Sequence, residues 1–169
     1  TPARPAQLGT LKDKRLKGAA YVHVNTDDSV AYVAMGKESK GLAMLNVEDP
    51  SFPKFLRWMT SEEDRQRPGA GLNRGRVVLR GAAQLAPANS THLFVASYKY
   101  VDREGEMTHG GVVAVDVAEP NAAFDAPTMP RVVDSLTGPA LEGAEAIAYD
   151  GGYVYIASGV LGKLIVLEP

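Results

Sequence analysis

Short apolar runs alternate with polar, turn-forming clusters along this chain, and the alternation itself recurs. Gly18-Ala19-Ala20, Gly81-Ala82-Ala83 and Gly143-Ala144-Glu145 open three segments, spaced 63 and 62 residues apart. Each opening leads to a polar cluster: Asn25-Thr26-Asp27-Asp28-Ser29, Pro87-Ala88-Asn89-Ser90-Thr91 and Tyr149-Asp150-Gly151-Gly152. Asn, Asp, Ser and Gly accept the tight or left-handed backbone of hairpin tips, so each cluster predicts a turn. A second strand follows each turn. Ala31-Tyr32-Val33-Ala34, Leu93-Phe94-Val95-Ala96 and Val154-Tyr155-Ile156-Ala157 share one pattern of small or aliphatic, aromatic, β-branched and alanine. Aromatic and β-branched residues suit a pleated surface, and continuous apolar runs of this length predict strands buried on both faces.

A third strand is expected to start at a glycine in each copy. Gly41 leads Leu42-Ala43-Met44-Leu45-Asn46-Val47, Gly111 leads Val112-Val113-Ala114-Val115-Asp116-Val117, and Gly162 leads Lys163-Leu164-Ile165-Val166. A fourth begins at a proline in two copies, Pro53-Lys54-Phe55-Leu56-Arg57-Trp58-Met59 and Pro130-Arg131-Val132-Val133-Asp134-Ser135-Leu136. Proline at the start of an edge strand removes no ladder hydrogen bond. The third copy has no fourth strand, whereas Pro5-Ala6-Gln7-Leu8-Gly9-Thr10-Leu11 reads as an orphan of that type.

Repetition of four-strand units predicts an all-β fold: a β-propeller segment of about three four-stranded antiparallel blades. The expected organisation over 1–169 is an orphan outer strand at 1–11, a first blade at 18–60, a second at 81–137 and an incomplete third at 143–169. Propellers close with about four to eight blades, and repeats of this kind cannot bury their end faces alone. The ring is therefore expected to be completed by other protein chains, a second copy, or a missing segment of a longer parent. A symmetric pair is the most economical arrangement.

Composition narrows the chemistry more than the fold. The chain has no cysteine, which removes disulfides, thiolate metal sites and Cys nucleophiles together. Its formal net charge of -2 makes no electrostatic case for nucleic acid. No apolar run approaches the roughly 20 residues that span a bilayer as a helix, so no membrane insertion is expected.

The strands resemble those of the LVIVD-repeat propellers of bacteria and archaea. Tyr32-Val33-Ala34 followed by Gly41-Leu42-Ala43-Met44-Leu45-Asn46-Val47-Glu48-Asp49-Pro50 resembles that repeat, as do Val112-Val113-Ala114-Val115-Asp116-Val117 and Tyr155-Ile156-Ala157 with Leu164-Ile165-Val166. The resemblance spans nearly the whole chain and departs from the pattern at Leu167-Glu168-Pro169. It implies a non-catalytic protein-interaction or scaffolding subunit, located in the periplasm, at the cell surface or outside the cell.

Candidate chemistry lies in two enlarged loops, because long loops on a rigid scaffold tend to carry function. One runs from Ser61 to Arg76. The other, from Lys99 to Gly110, holds Asp102, Glu104, Glu106 and His109. No cofactor is expected; calcium is the one ion such a loop would suit, and it requires six to eight oxygens, in a spacing that matches no EF-hand. Glu142 and Glu145 would face the same mouth, where paired carboxylates do acid–base work if burial raises one pKa; the plain alternative is a wet channel lining. A metal-assisted hydrolase and a small-ligand or carbohydrate-binding propeller are the competing expectations, with Tyr98 and Tyr100 as the available aromatics. Trp58 and Arg57 are interface candidates, since both types are enriched in binding hot spots. His23 and His92 read as structural. Gly69-Ala70-Gly71 precedes no helix that would cradle a phosphate. Asn89-Ser90-Thr91 is a formal glycosylation sequon at a hairpin tip.

Overall fold

The computed structural model describes residues 6–25, 29–36, 41–60, 79, 81–98, 110–118 and 131–169. These residues form an all-β fold of three antiparallel sheets, with no α-helix among them. The first sheet contains β1 (Tyr21–Asn25), β2 (Val30–Ala34), β3 (Gly41–Asn46) and β4 (Lys54–Thr60). The second contains β5 (Ala82–Pro87), β6 (His92–Ser97), β7 (Gly111–Asp116) and β8 (Arg131–Thr137). The third has three strands, β9 (Ala144–Asp150), β10 (Tyr153–Ser158) and β11 (Lys163–Leu167). Every sheet is a simple up-and-down meander in chain order.

Local chemistry accounts for the hairpins. Gly151 and Gly152 have φ of 60° and 87°, the left-handed pair that a two-residue turn needs to match strand twist. At the β5–β6 tip, Asn89 Oδ1 accepts from the Thr91 N–H at 2.8 Å and from Thr91 Oγ1 at 2.9 Å. The side chain of the sequon asparagine therefore builds the turn. Matching turns end the third strands: Asn46 Oδ1 accepts from Glu48 N–H at 3.1 Å, and Asp116 Oδ1 from Ala118 N–H at 3.0 Å.

The sheets stack through opposite faces, always in the same sense. In each, one face points to the following sheet (leading) and the other to the preceding one (trailing). Tyr32, Leu42 and Met44 on the leading face of the first sheet share a buried cluster with Leu85, Val95, Val113 and Val115 on the trailing face of the second. Phe94, Ala96 and Val112 on the second sheet's leading face meet Ile147, Val154 and Ile156 of the third. Approach is closest along the first two strands, where β5 lies against β1 and β2, and β9 against β5 and β6. Small residues permit it: the Gly36 N–H donates to the Ala82 carbonyl across the first junction at 2.8 Å. Across the second, the Ile147 N–H donates to Gln84 Oε1 at 3.0 Å.

Three expectations change. Gly162 does not open the third strand of the third copy. Tyr32 pairs with Met44, Phe94 with Ala114 and Tyr155 with Val166, so Lys163 stands where Gly41 and Gly111 stand, and Glu168 where Asn46 and Asp116 stand. Gly162, at φ 59°, belongs to the turn. Residues 6–11 of the expected orphan strand occupy no sheet; residues 1–5 lie outside the described set. From its last residue onward the chain reaches the first sheet's trailing face, where Leu11 and Leu16 pack on Ala31, Val33, Met35, Ala43 and Leu45. Finally, β2 is buried throughout, but β10 alternates between buried and open positions, because no sheet among the described residues covers its leading face.

The register yields a paired prediction. Leu42→Ala is expected to destabilise the chain by about 2–5 kcal/mol, the usual cost of emptying a buried leucine site. Leu164→Ala, at the equivalent ladder position on the uncovered face, should cost less than about 1 kcal/mol. Urea unfolding of both variants would measure this, and equal costs would refute the face assignment.

Candidate functional site

Equivalent positions on the three sheets can be compared directly, because the strand registers define them. On the leading face, Leu42 is 0% exposed, Val112 6% and Leu164 69%. On the trailing face, Val22 is 55% exposed, Leu85 1% and Ile147 5%. At these two positions the apolar residue is buried wherever another sheet covers it and open at the two ends of the stack; Leu136, on the outer strand of the second sheet, remains 50% exposed although its face points to the third. Tyr153, Leu164 and Val166 form the exposed face at one end, with half-buried Tyr155 between them. Val22 and Val24 mark the other, beside the part covered by Leu11 and Leu16.

That partial cover has its own clamp. Asp13 caps a 3-10 turn over Lys14–Leu16 and accepts from the Arg15 backbone N–H at 2.8 Å. The Arg15 side chain donates back to Asp13 from Nε at 2.9 Å and lies over the Phe55 ring at 3.5 Å from its centroid. The side-chain bond from Arg15, with the backbone bond beside it, holds the Asp13 carboxyl down from 3.8 to about 2. Such charge-assisted bonds favour the ionised form.

The sequence-selected residues are dispersed. Glu142 is exposed and ends the short 3-10 turn over Pro139–Leu141, its carbonyl accepting from Ser158 Oγ. Glu145 is half-buried on β9, its carboxylate close to Gly159, where an added Cβ would stand 3.0 Å from Oε2. Trp58 is half-buried in the trailing-face cluster of the first sheet, in an edge-to-face contact with Phe55 at 6.2 Å. Arg57 is half-buried on β4, beside Met44 in the ladder. Tyr98 follows β6, and its N–H donates to the Gly81 carbonyl at 3.0 Å. His23 is half-buried on β1, and desolvation lowers its pKa. His92 Nδ1 lies 2.8 Å from Thr91 Oγ1 in the hairpin tip.

Asp102, Glu104, Glu106, His109 and Tyr100 lie outside the described residues, as do the loop from Ser61 to Arg76 and Gly69-Ala70-Gly71. Among the described residues, no three His, Asp or Glu side chains gather closely enough to hold a metal ion, and no helix is long and apolar enough to cross a membrane. Open end faces are what the incomplete repeat set predicts, but the residues that form them, Tyr153, Leu164, Val166, Val22 and Val24, were not singled out from sequence. Their signal was present in Leu164-Ile165-Val166, apolar on both sides of the pleat. No protein-family model matches the chain, and comparison with curated proteins finds no match.

The Asp13 clamp carries a pH prediction. A carboxyl depressed in the folded state contributes stability that is complete above the ordinary carboxylate range and is lost as pH falls through the folded value. The cover over the first sheet should therefore loosen between pH 4 and pH 2. Carbon-detected NMR of the Asp13 carboxyl should titrate near 2, and Arg15→Ala should return the midpoint towards 3.8. An unchanged midpoint in that variant would show that Arg15 is not the cause.

Proposed function

We propose that this chain is a non-catalytic interaction or scaffolding module, a β-propeller segment whose two end sheets are covered by further β-structure from other protein chains, a second copy or a further segment of a longer parent chain. The observation that carries the reading is the exposure series: Leu42, Val112, Leu85 and Ile147 are closed between sheets, and their equivalents Leu164 and Val22 are open at the ends of the stack. Contact between sheets concentrated along their first two strands supports blades radiating from an axis, and the constant leading-to-trailing sense supports addition of further sheets in the same rotation. The resemblance to LVIVD-repeat propellers agrees with this reading, and an extracytoplasmic location rests on that resemblance alone.

Magnitudes support a partner larger than a small ligand. Covering Leu164 and Val166 is worth roughly 1.5–3 kcal/mol for each side chain, while association costs at least about 4 kcal/mol in lost freedom. Two aliphatic side chains barely offset that cost, so a stable complex needs both end faces, or a face together with a strand edge.

Sedimentation velocity on the full chain should show association that strengthens with concentration. Leu164→Asp combined with Val22→Asp should weaken it by about tenfold or more, the loss of at least ~1.4 kcal/mol of burial. A folded chain that remains monomeric at every accessible concentration, unaffected by the double substitution, would overturn the proposal.

A further inference from the structure

The hairpin tip between β5 and β6 carries Asn89-Ser90-Thr91, and no other asparagine of the chain is followed two residues later by serine or threonine. Asn89 and Ser90 are exposed, and Thr91 is half-buried. Hydrogen bonding fixes the orientation of the Asn89 amide. The Thr91 backbone N–H can only donate, so the atom it meets at 2.8 Å is Oδ1, and Thr91 Oγ1 donates to the same oxygen at 2.9 Å. A hydroxyl carries a single hydrogen. Having given it to Oδ1, Thr91 Oγ1 accepts from His92 Nδ1, 2.8 Å away. Asn89 Nδ2, on the other arm of the amide, donates to no atom among the described residues. The tip is also pinned to the first sheet: the Ser90 carbonyl accepts from Asn25 Nδ2 at 3.0 Å.

An amide nitrogen is a weak nucleophile, because its lone pair is shared with the carbonyl. Two donors on Oδ1 draw electron density toward the oxygen and make the Nδ2 hydrogens easier to remove. The three-residue pattern marks N-glycosylation acceptors in surface loops. We infer that Asn89 is a modification site, an acceptor of N-linked oligosaccharide presented by the folded hairpin. The reaction joins Asn89 Nδ2 to the anomeric carbon of a sugar carried on a polyprenyl pyrophosphate. The C–O bond to the phosphate breaks and the pyrophosphate leaves with the electron pair. A base of the transferase takes one Nδ2 proton, and nothing is oxidised or reduced. Asn46 is the internal comparison. Its Oδ1 builds a similar turn to the Glu48 N–H, but Glu48 has no hydroxyl, so Asn46 should stay bare. Asn89 lies between two strands and on neither face of the middle sheet, so an attached glycan leaves both junctions closed. The site goes beyond the module reading and shares with it only the expected extracytoplasmic location, where exported chains meet such donors.

The test is transfer to the folded full chain by a purified oligosaccharyltransferase that needs only the three-residue pattern, with polyprenyl-pyrophosphate-linked oligosaccharide as donor. Intact mass should show a single glycan per chain, and glycopeptide mapping should place it on Asn89. Thr91→Ser should keep transfer, whereas Thr91→Val and Asn89→Gln should abolish it, with urea unfolding confirming that each variant is folded. A peptide of residues 86–94 separates the sequence pattern from its presentation. Transfer to the peptide but not to the folded chain overturns the inference, because the hairpin then withholds the amide. Transfer to neither overturns it as well, as does a glycan on any other residue or one that persists in Thr91→Val. None of these readouts depends on association, so their failure leaves the module reading standing.

Discussion

A sheet with two apolar faces needs two neighbours, and this requirement organises the whole molecule. The middle sheet has both and is closed on each side except at Leu136 on its outer strand. The outer two have one each, and their outward faces remain partly in water. Nothing in the strands themselves distinguishes the middle from the ends: Leu85 and Val22 are the same kind of residue at the same ladder position, and position in the stack decides which is buried. Hydrophobic burial is non-directional. Direction comes from the bonds between sheets: the Gly36 N–H, just after β2, donates to the Ala82 carbonyl across the first junction, and the Ile147 N–H donates to the Gln84 side chain across the second.

The two ends are not equivalent. At the first, the segment from Leu11 to Leu16 covers the outer part of the face, and Arg15 ties it down through Asp13 and Phe55. Terminal repeats of stacked proteins commonly need such a cap. At the other end, Tyr153, Leu164 and Val166 are exposed, and among the described residues β11 pairs only with β10.

Much of this was legible from residue types. The second strands stand out because aromatic and β-branched residues at fixed offsets have few other uses, and the hairpin tips because glycine and asparagine mark left-handed backbone. Other features were hidden for identifiable reasons. Gly162 resembles Gly41 and Gly111 in sequence, but a glycine marks permissive backbone and cannot say whether it lies in a turn or a ladder. The stretch around Leu8 has a strand's composition, yet it joins no sheet: Gly9 lies against the backbone of Pro50 and Ser51, and Leu8 stays 69% exposed. Trp58 has the composition of a hot spot and packs largely as core beneath the cap. Glu142 and Glu145 are close in sequence, but one ends a turn and the other lies within a strand, so proximity along the chain made no site.

The functional reading consequently rests on geometry that repeats. A single exposed leucine is ordinary on any protein surface. Leu164 differs because two structurally equivalent residues in the same chain show the environment that this position otherwise occupies. Internal repetition lets one part of the molecule serve as the control for another.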